Sequence, residues 1–162
     1  MEEKIKNRGM SKIVRTISFI IAVPIIIFGL YVILHGHLTP GGGFPGGAII
    51  ATLVALFLVA FGKSAVKSSH KEFLSLLESL ALVSFILLAF LGIRSTFFHN
   101  FLINTGNIFG RSISYGVNTG YLSTAGTIPL MNIVVGFEVF AALSLIMLMM
   151  YTGPTRGEGD ND

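Results

Sequence analysis

The chain contains no cysteine and no tryptophan. Without a thiol it forms no disulfide, offers no thiol nucleophile, and holds no Cys-ligated zinc or iron–sulfur cluster. Charge is scarce too: 12% of the 162 residues are Asp, Glu, Lys or Arg, against about 25% in a soluble domain. Hydrophobic residues make up 52% and mean hydropathy is +0.79. That balance excludes an ordinary soluble domain and indicates an all-α protein that crosses the membrane several times. The net charge of +3 would hint at nucleic acid in a soluble protein. Here the basic residues flank apolar runs, so the membrane explains them and no nucleic-acid partner is expected. No nucleophile–base pair, cofactor fingerprint or cluster of metal ligands is visible, so the chain is not expected to be an enzyme by itself or to carry a cofactor or metal. Gly62-Lys63-Ser64 resembles the end of a phosphate-binding loop. The glycine required five places earlier is Phe57, and nucleotide binding is rejected.

Four apolar runs are long enough to span, expected at about 13–34, 45–62, 72–93 and 130–151. The first covers 22 positions, and at 1.5 Å per residue that is about 33 Å, one bilayer crossing. It is longer than the apolar region of a cleavable signal peptide. Pro24 lies inside it and predicts a kink. A short basic loop, 63–71, joins the second and third spans. A long outer loop, 94–129, joins the last two and is rich in Gly, Asn, Ser, Thr and aromatics. A short interfacial helix is expected around Phe97 to Ile103, with irregular structure beyond it, and a flexible tail over 152–162. Nine of the eleven basic residues lie in the N-terminal segment, the 63–71 loop and the tail; only Arg94 and Arg111 lie opposite. This asymmetry places both termini in the cytoplasm of a multi-pass protein of the cell membrane.

Between the first two spans lies the stretch Gly36-His37-Leu38-Thr39-Pro40-Gly41-Gly42-Gly43-Phe44-Pro45-Gly46-Gly47, half of it glycine. Irregular backbone beside membrane spans is tolerated only where protein or a water-filled cavity surrounds it. The stretch is therefore read as close-packed backbone wedged between helices, with the second helix starting near Pro45. Gly47, Ala51 and Ala55, with Ala48 and Thr52 beside them, continue a small-residue stripe that lets another helix approach.

Two carboxylates fall inside spans. A charge near the bilayer centre costs at least about 2.5 kcal/mol, so it usually faces protein or water and marks an ion route. Glu138 lies near mid-depth in the fourth span, and Glu78 lies shallower in the third. Each could instead make an interhelical hydrogen bond or ion pair. His35 and His37 flank Gly36 at the outer end of the first span. They are candidates for proton handling or simple interfacial anchors. The ion-pathway candidates are thus Glu138, Glu78, His35 and His37.

The glycine–proline stretch resembles the signature of the B-subunit family of Mrp/Mnh multisubunit sodium/proton antiporters. The run Gly126-Thr127-Ile128-Pro129-Leu130-Met131-Asn132-Ile133-Val134-Val135-Gly136-Phe137-Glu138-Val139 is similar to that family's second shared block, and the order of four spans also fits. The resemblance covers roughly residues 15–150. It implies a small membrane subunit packed beside larger antiporter-like subunits, with sodium ions and protons as the transported species and lipid around it. Related B-type subunits occur in archaeal redox complexes such as membrane-bound hydrogenases and sulfur-reducing relatives. The alternatives are a purely structural subunit and a self-sufficient small transporter. Four spans with two carboxylates and no internal repeat make a thin pathway for a complete transporter.

Overall fold

The computed structural model describes residues 10–38, 40–62, 68–91, 96–103 and 125–153. Four helices, α1 (Lys12–Leu34), α2 (Gly43–Phe61), α3 (Ser68–Leu91) and α4 (Ile128–Thr152), follow one another along the chain. Each is long and apolar enough to cross a membrane, and no strand occurs among the described residues. The chain is an all-α, multi-pass membrane protein. The basic loop at 63–67, the stretch 104–124, and the tail from 154 lie outside the described residues. So do Arg94 and Arg111.

Helix α1 is built from Ile, Val and Phe, which are poor helix formers in water. In hydrocarbon the backbone has no water to bond, so only internal hydrogen bonds satisfy it and the helix follows. Ser11 caps its start, accepting from the Val14 N–H at 3.4 Å. The few hydroxyls donate back to carbonyls of their own helix: Thr16 to Lys12 at 3.0 Å and Ser18 to Val14 at 2.8 Å. Helical structure runs on through Pro24.

Helix α2 begins two residues before the expected Pro45, so Gly43, Gly46 and Gly47 are helical and the irregular connection ends at Gly42. Glycine is a poor helix former, but packing and the need to satisfy every amide override propensity here. Gly42, at φ 138, is in a conformation that other residues rarely adopt. Pro45 sits in the first turn, where no amide donor is required. Gly62, at φ 62, ends the helix and returns its N–H to the Leu58 carbonyl. Pro129 opens α4 in the same way that Pro45 opens α2.

The helices stand in the order α1, α2, α4, α3, with α4 packed between α2 and α3, and α1 touching α4 only lightly. Small residues make most of the seams: Ala51, Ala60, Ala89, Ala141 and Ser144 are all fully buried. Leu58, Leu74, Ala141 and Leu148 form the apolar core where α2, α3 and α4 meet. Large aliphatic and aromatic side chains face outward, as expected where lipid is as apolar as leucine and close backbone approach drives packing.

Residues 97–103 do not form the interfacial helix expected from their aromatics. Phe98 adopts φ 63, and the segment is a series of turns, with the Phe98 N–H on the Ala89 carbonyl at 3.2 Å and the Phe101 N–H on His99 at 2.9 Å. A left-handed phenylalanine breaks helical continuity. The segment is clasped to α4 by Asn100. Its Nδ2 donates to the Ala125 carbonyl (3.0 Å), and its Oδ1 accepts from the Thr127 N–H (2.8 Å) and hydroxyl (3.1 Å). At the other end of the molecule Lys71 Nζ donates to Thr152 Oγ1 at 2.7 Å, pinning α3 to α4.

Candidate functional site

Two features stand out, a glycine crossing at the ends of the helices where α2 and α4 begin and a flank that carries both membrane carboxylates. At the crossing, α2 lies against α1 and α4 with backbone touching backbone. A Cβ on Gly46 would meet Ile33 and, at 2.7 Å, the Gly29 carbonyl. One on Gly43 would strike the Asn132 carbonyl and stand 2.9 Å from the Gly136 amide. One on Gly47 would stand 3.0 Å from Val139 Cβ and 3.2 Å from the Phe140 amide. Gly36 is closed in by Gly42 and by Asn132 Nδ2, 2.9 Å from where its Cβ would be. Gly36, Gly43, Gly46 and Gly47 of the stretch are thus in close contact, and their partners are Gly29 and Ile33 on α1, the Asn132–Phe140 segment of α4, and Gly42. Pro40 and Phe44 are exposed and Gly41 stands outside the contact. Thr39 lies outside the described residues.

His35 and His37 sit at this crossing. The His35 ring stacks on Tyr31 with centroids 4.3 Å apart, and its Nδ1 lies 3.2 Å from the Tyr31 carbonyl. Both ring nitrogens of His37 are buried without a hydrogen-bond partner among the described residues. Burial holds His37 below its ordinary value of 6.5; the neighbouring His35 adds to that, and the Leu34 carbonyl opposes it. Gly36 contacts α4 at Asn132, six residues before Glu138. The histidines therefore lie about 9 Å from Glu138 along the helix axis, toward the start of α4, and are not brought onto it.

Glu138 and Glu78 are both half-buried. Neither meets a cation of its own chain among the described residues. The Lys71–Thr152 hydrogen bond sets the antiparallel register of α3 and α4, which leaves the two carboxylates about 10 Å apart in depth. Their direction follows from the contacts of each helix, at about 100° of rotation per residue. Helix α4 meets α3 through Ala141 and Leu148 and meets α2 through Asn132, Gly136 and Val139. Phe140 lies between those two faces on one side, lining a cleft that α2 and α3 close. Glu138 lies between them on the other side. The same reasoning puts Glu78 of α3 and Ala48 and Ala55 of α2 on the Glu138 side, away from α1. Both carboxylates and the half-buried alanines thus share one flank of the helix row. Such a flank can hold a proton, a cation, or a basic side chain from a neighbour.

Sequence reading missed Gly29, Asn100, Gly126, Asn132 and Gly136 as structural determinants. Gly29 stands one turn before Ile33, and both lie on the face of α1 that meets Gly46. The Asn100 clasp joins residues 25 and 27 positions apart and leaves no local trace.

Residues 13–145 match the family model described as "Domain related to MnhB subunit of Na+/H+ antiporter". The chain is 35% identical over 139 residues to the uncharacterized protein MJ1307 of Methanocaldococcus jannaschii, covering 85% of this chain and 51% of that one. It is 36% identical over 67 residues to the B subunit of the Na(+)/H(+) antiporter of Bacillus subtilis, covering 41% of this chain and 44% of that one. The chain thus spans about half the length of these curated relatives. Among solved structures it resembles a chain of the membrane-bound sulfane sulfur reductase, an archaeal respiratory membrane complex. There the TM-score is 0.69 at 30% identity, over 90% of this chain and 62% of that one.

Proposed function

Because the chain belongs to the family of domains related to the MnhB subunit of the Na+/H+ antiporter, we propose that it is a non-catalytic membrane subunit of a multisubunit sodium/proton antiporter module. In that role it assembles with larger antiporter-like subunits in the cell membrane, both termini in the cytoplasm, and its carboxylate flank borders the ion path. The observation that carries this reading is Glu138, half-buried at mid-depth and without a cation of its own chain among the described residues. A carboxylate so placed must be compensated by a neighbour or must exchange protons or cations. The test is Glu138→Gln, which keeps size and hydrogen bonding but removes the charge. The expected result is loss of sodium-dependent proton movement in vesicles while the complex assembles normally. Normal exchange with normal assembly would refute the ion-path role.

A second reading has its own support. The structural match to a chain of a respiratory membrane complex favours a scaffold or coupling subunit in a redox-driven ion-pumping assembly. Co-purification in mild detergent separates the two: a metal-bearing redox partner points to the second, and antiporter subunits alone point to the first.

A further inference from the structure

On the side of the row away from the carboxylates, α2 and α3 diverge over α4 and leave a cleft of about 310 Å³. Val54 and Phe57 of α2, Leu74 of α3, and Phe140 and Leu148 of α4 line it, with His70 at its inner end. The lining is hydrocarbon apart from that imidazole, which is exposed in the first turn of α3. Water gains nothing in so apolar a space. A bilayer supplies hydrocarbon instead.

The cation beside the cleft says which lipid. Arg15 lays its guanidinium carbon 5.6 Å from the centroid of the Phe61 ring. Phe61 in turn packs on Phe57, a wall of the cleft, with centroids 5.9 Å apart. Arg15 Nε is buried and has no hydrogen-bond partner among the described residues. Glu78 lies on the opposite flank, so no described carboxylate lines the cleft. An apolar slot ending in an imidazole, next to an arginine with an unused donor, has the chemistry of an anionic phospholipid site. We propose that one acyl chain of an anionic phospholipid occupies the cleft, with its phosphate held at the inner end by Arg15 and His70. The site is independent of the ion path, since neither carboxylate takes part.

The test is made on the intact complex purified in mild detergent, with bound lipid extracted and quantified per copy by mass spectrometry. The complex is also returned to nanodiscs of phosphatidylglycerol mixed with phosphatidylcholine. Wild type is expected to retain anionic lipid in excess of its share of the bilayer. Arg15→Gln should cut that enrichment about fivefold, and adding His70→Gln, which removes the imidazole donor, should cut it further. Val54→Phe, which fills the cleft, should release the lipid whatever its headgroup. Retention of the same lipid by Val54→Phe would overturn the proposal, as would a retained lipid no more anionic than the bulk. A cysteine at Val54 that cross-links to another subunit would also overturn it, because protein would then fill the cleft. Should Val54→Phe fail to assemble, the double variant decides, since it leaves the core untouched: unchanged anionic enrichment refutes the site.

Discussion

Gly46→Ala is the sharpest probe of the crossing, because it adds one methyl group where α1 and α2 touch. The new Cβ would stand 2.7 Å from the Gly29 carbonyl and 3.0 Å from the Ile33 amide, whereas ordinary contact begins near 3.4 Å. Both are backbone atoms, so no rotamer change relieves the overlap. Helix α1 must withdraw by about 0.7 Å, and a gap of 0.5–1 Å forfeits roughly a quarter to a half of each dispersion contact along the seam. Against this, alanine favours a helix over glycine by about 1 kcal/mol. Overpacking of a rigid interface costs about 1–3 kcal/mol or more, so the net effect is destabilising by up to about 2 kcal/mol, with Gly46→Leu far worse.

The control is Gly153→Ala, where a Cβ meets nothing within 4 Å and φ is −60. The readout is the thermal midpoint and yield of the complex in mild detergent, followed by fluorescence-detected gel filtration. Gly46→Ala should lower both, and Gly153→Ala should leave them equal or slightly raised. Equal midpoints for the two variants would refute the close-packed crossing, since propensity alone treats them alike.

Asn100→Ala would strip partners from the Thr127 amide and the Ala125 carbonyl; a loss of about 1–3 kcal/mol is expected, read by chemical denaturation in detergent. Gly126→Ala should be at least as damaging, because Gly126 has φ +62 and its Cβ would stand 2.7 Å from the Ile103 amide. His37 is held below its ordinary 6.5 by burial, so as pH falls through 6.5 the unfolded chain takes up the proton first. Stability should therefore decline below pH 6.5 and level off once His37 itself is protonated; His37→Gln should remove that component from a thermal-stability profile against pH. For orientation, an impermeant thiol reagent on whole cells should label a cysteine at exposed Thr96 and spare one at exposed Met10; the opposite pattern would invert the topology.

The four helices were legible because a bilayer asks for apolar length, and Ile13 to Leu34 supplies it almost without interruption. The glycine stretch was legible as close packing for the same kind of reason: exposed backbone is not tolerated beside hydrocarbon. Its helical character from Gly43 was not, because local propensity counts glycine against a helix and only the contacts with Gly29, Ile33 and Gly136 outweigh that count. The turns at 97–103 hinge on one positive φ at Phe98, for which a phenylalanine gives no warning. The depth of Glu138 could be read from its place in the span. That Glu78 shares its flank could not, since the spatial order α1, α2, α4, α3 departs from chain order.

That order changes how the two family-like blocks relate. In the chain, the stretch at 36–47 and the run at 126–139 are some ninety residues apart. In the fold they are two sides of one contact. Gly36, Gly42, Gly43 and Gly47 lie against Asn132, Val135, Gly136 and Val139, and Phe137 and Glu138, between Gly136 and Val139, turn away from that contact. The depth and direction of Glu138 are therefore set by how closely α2 can approach α4. A side chain at Gly43 or Gly47 would push α4 outward and carry the carboxylate with it. The glycines need no chemistry of their own to set where that carboxylate stands. They fix the helix that carries Glu138, which gives a physical reason for the glycine-rich block to accompany the block that holds the carboxylate.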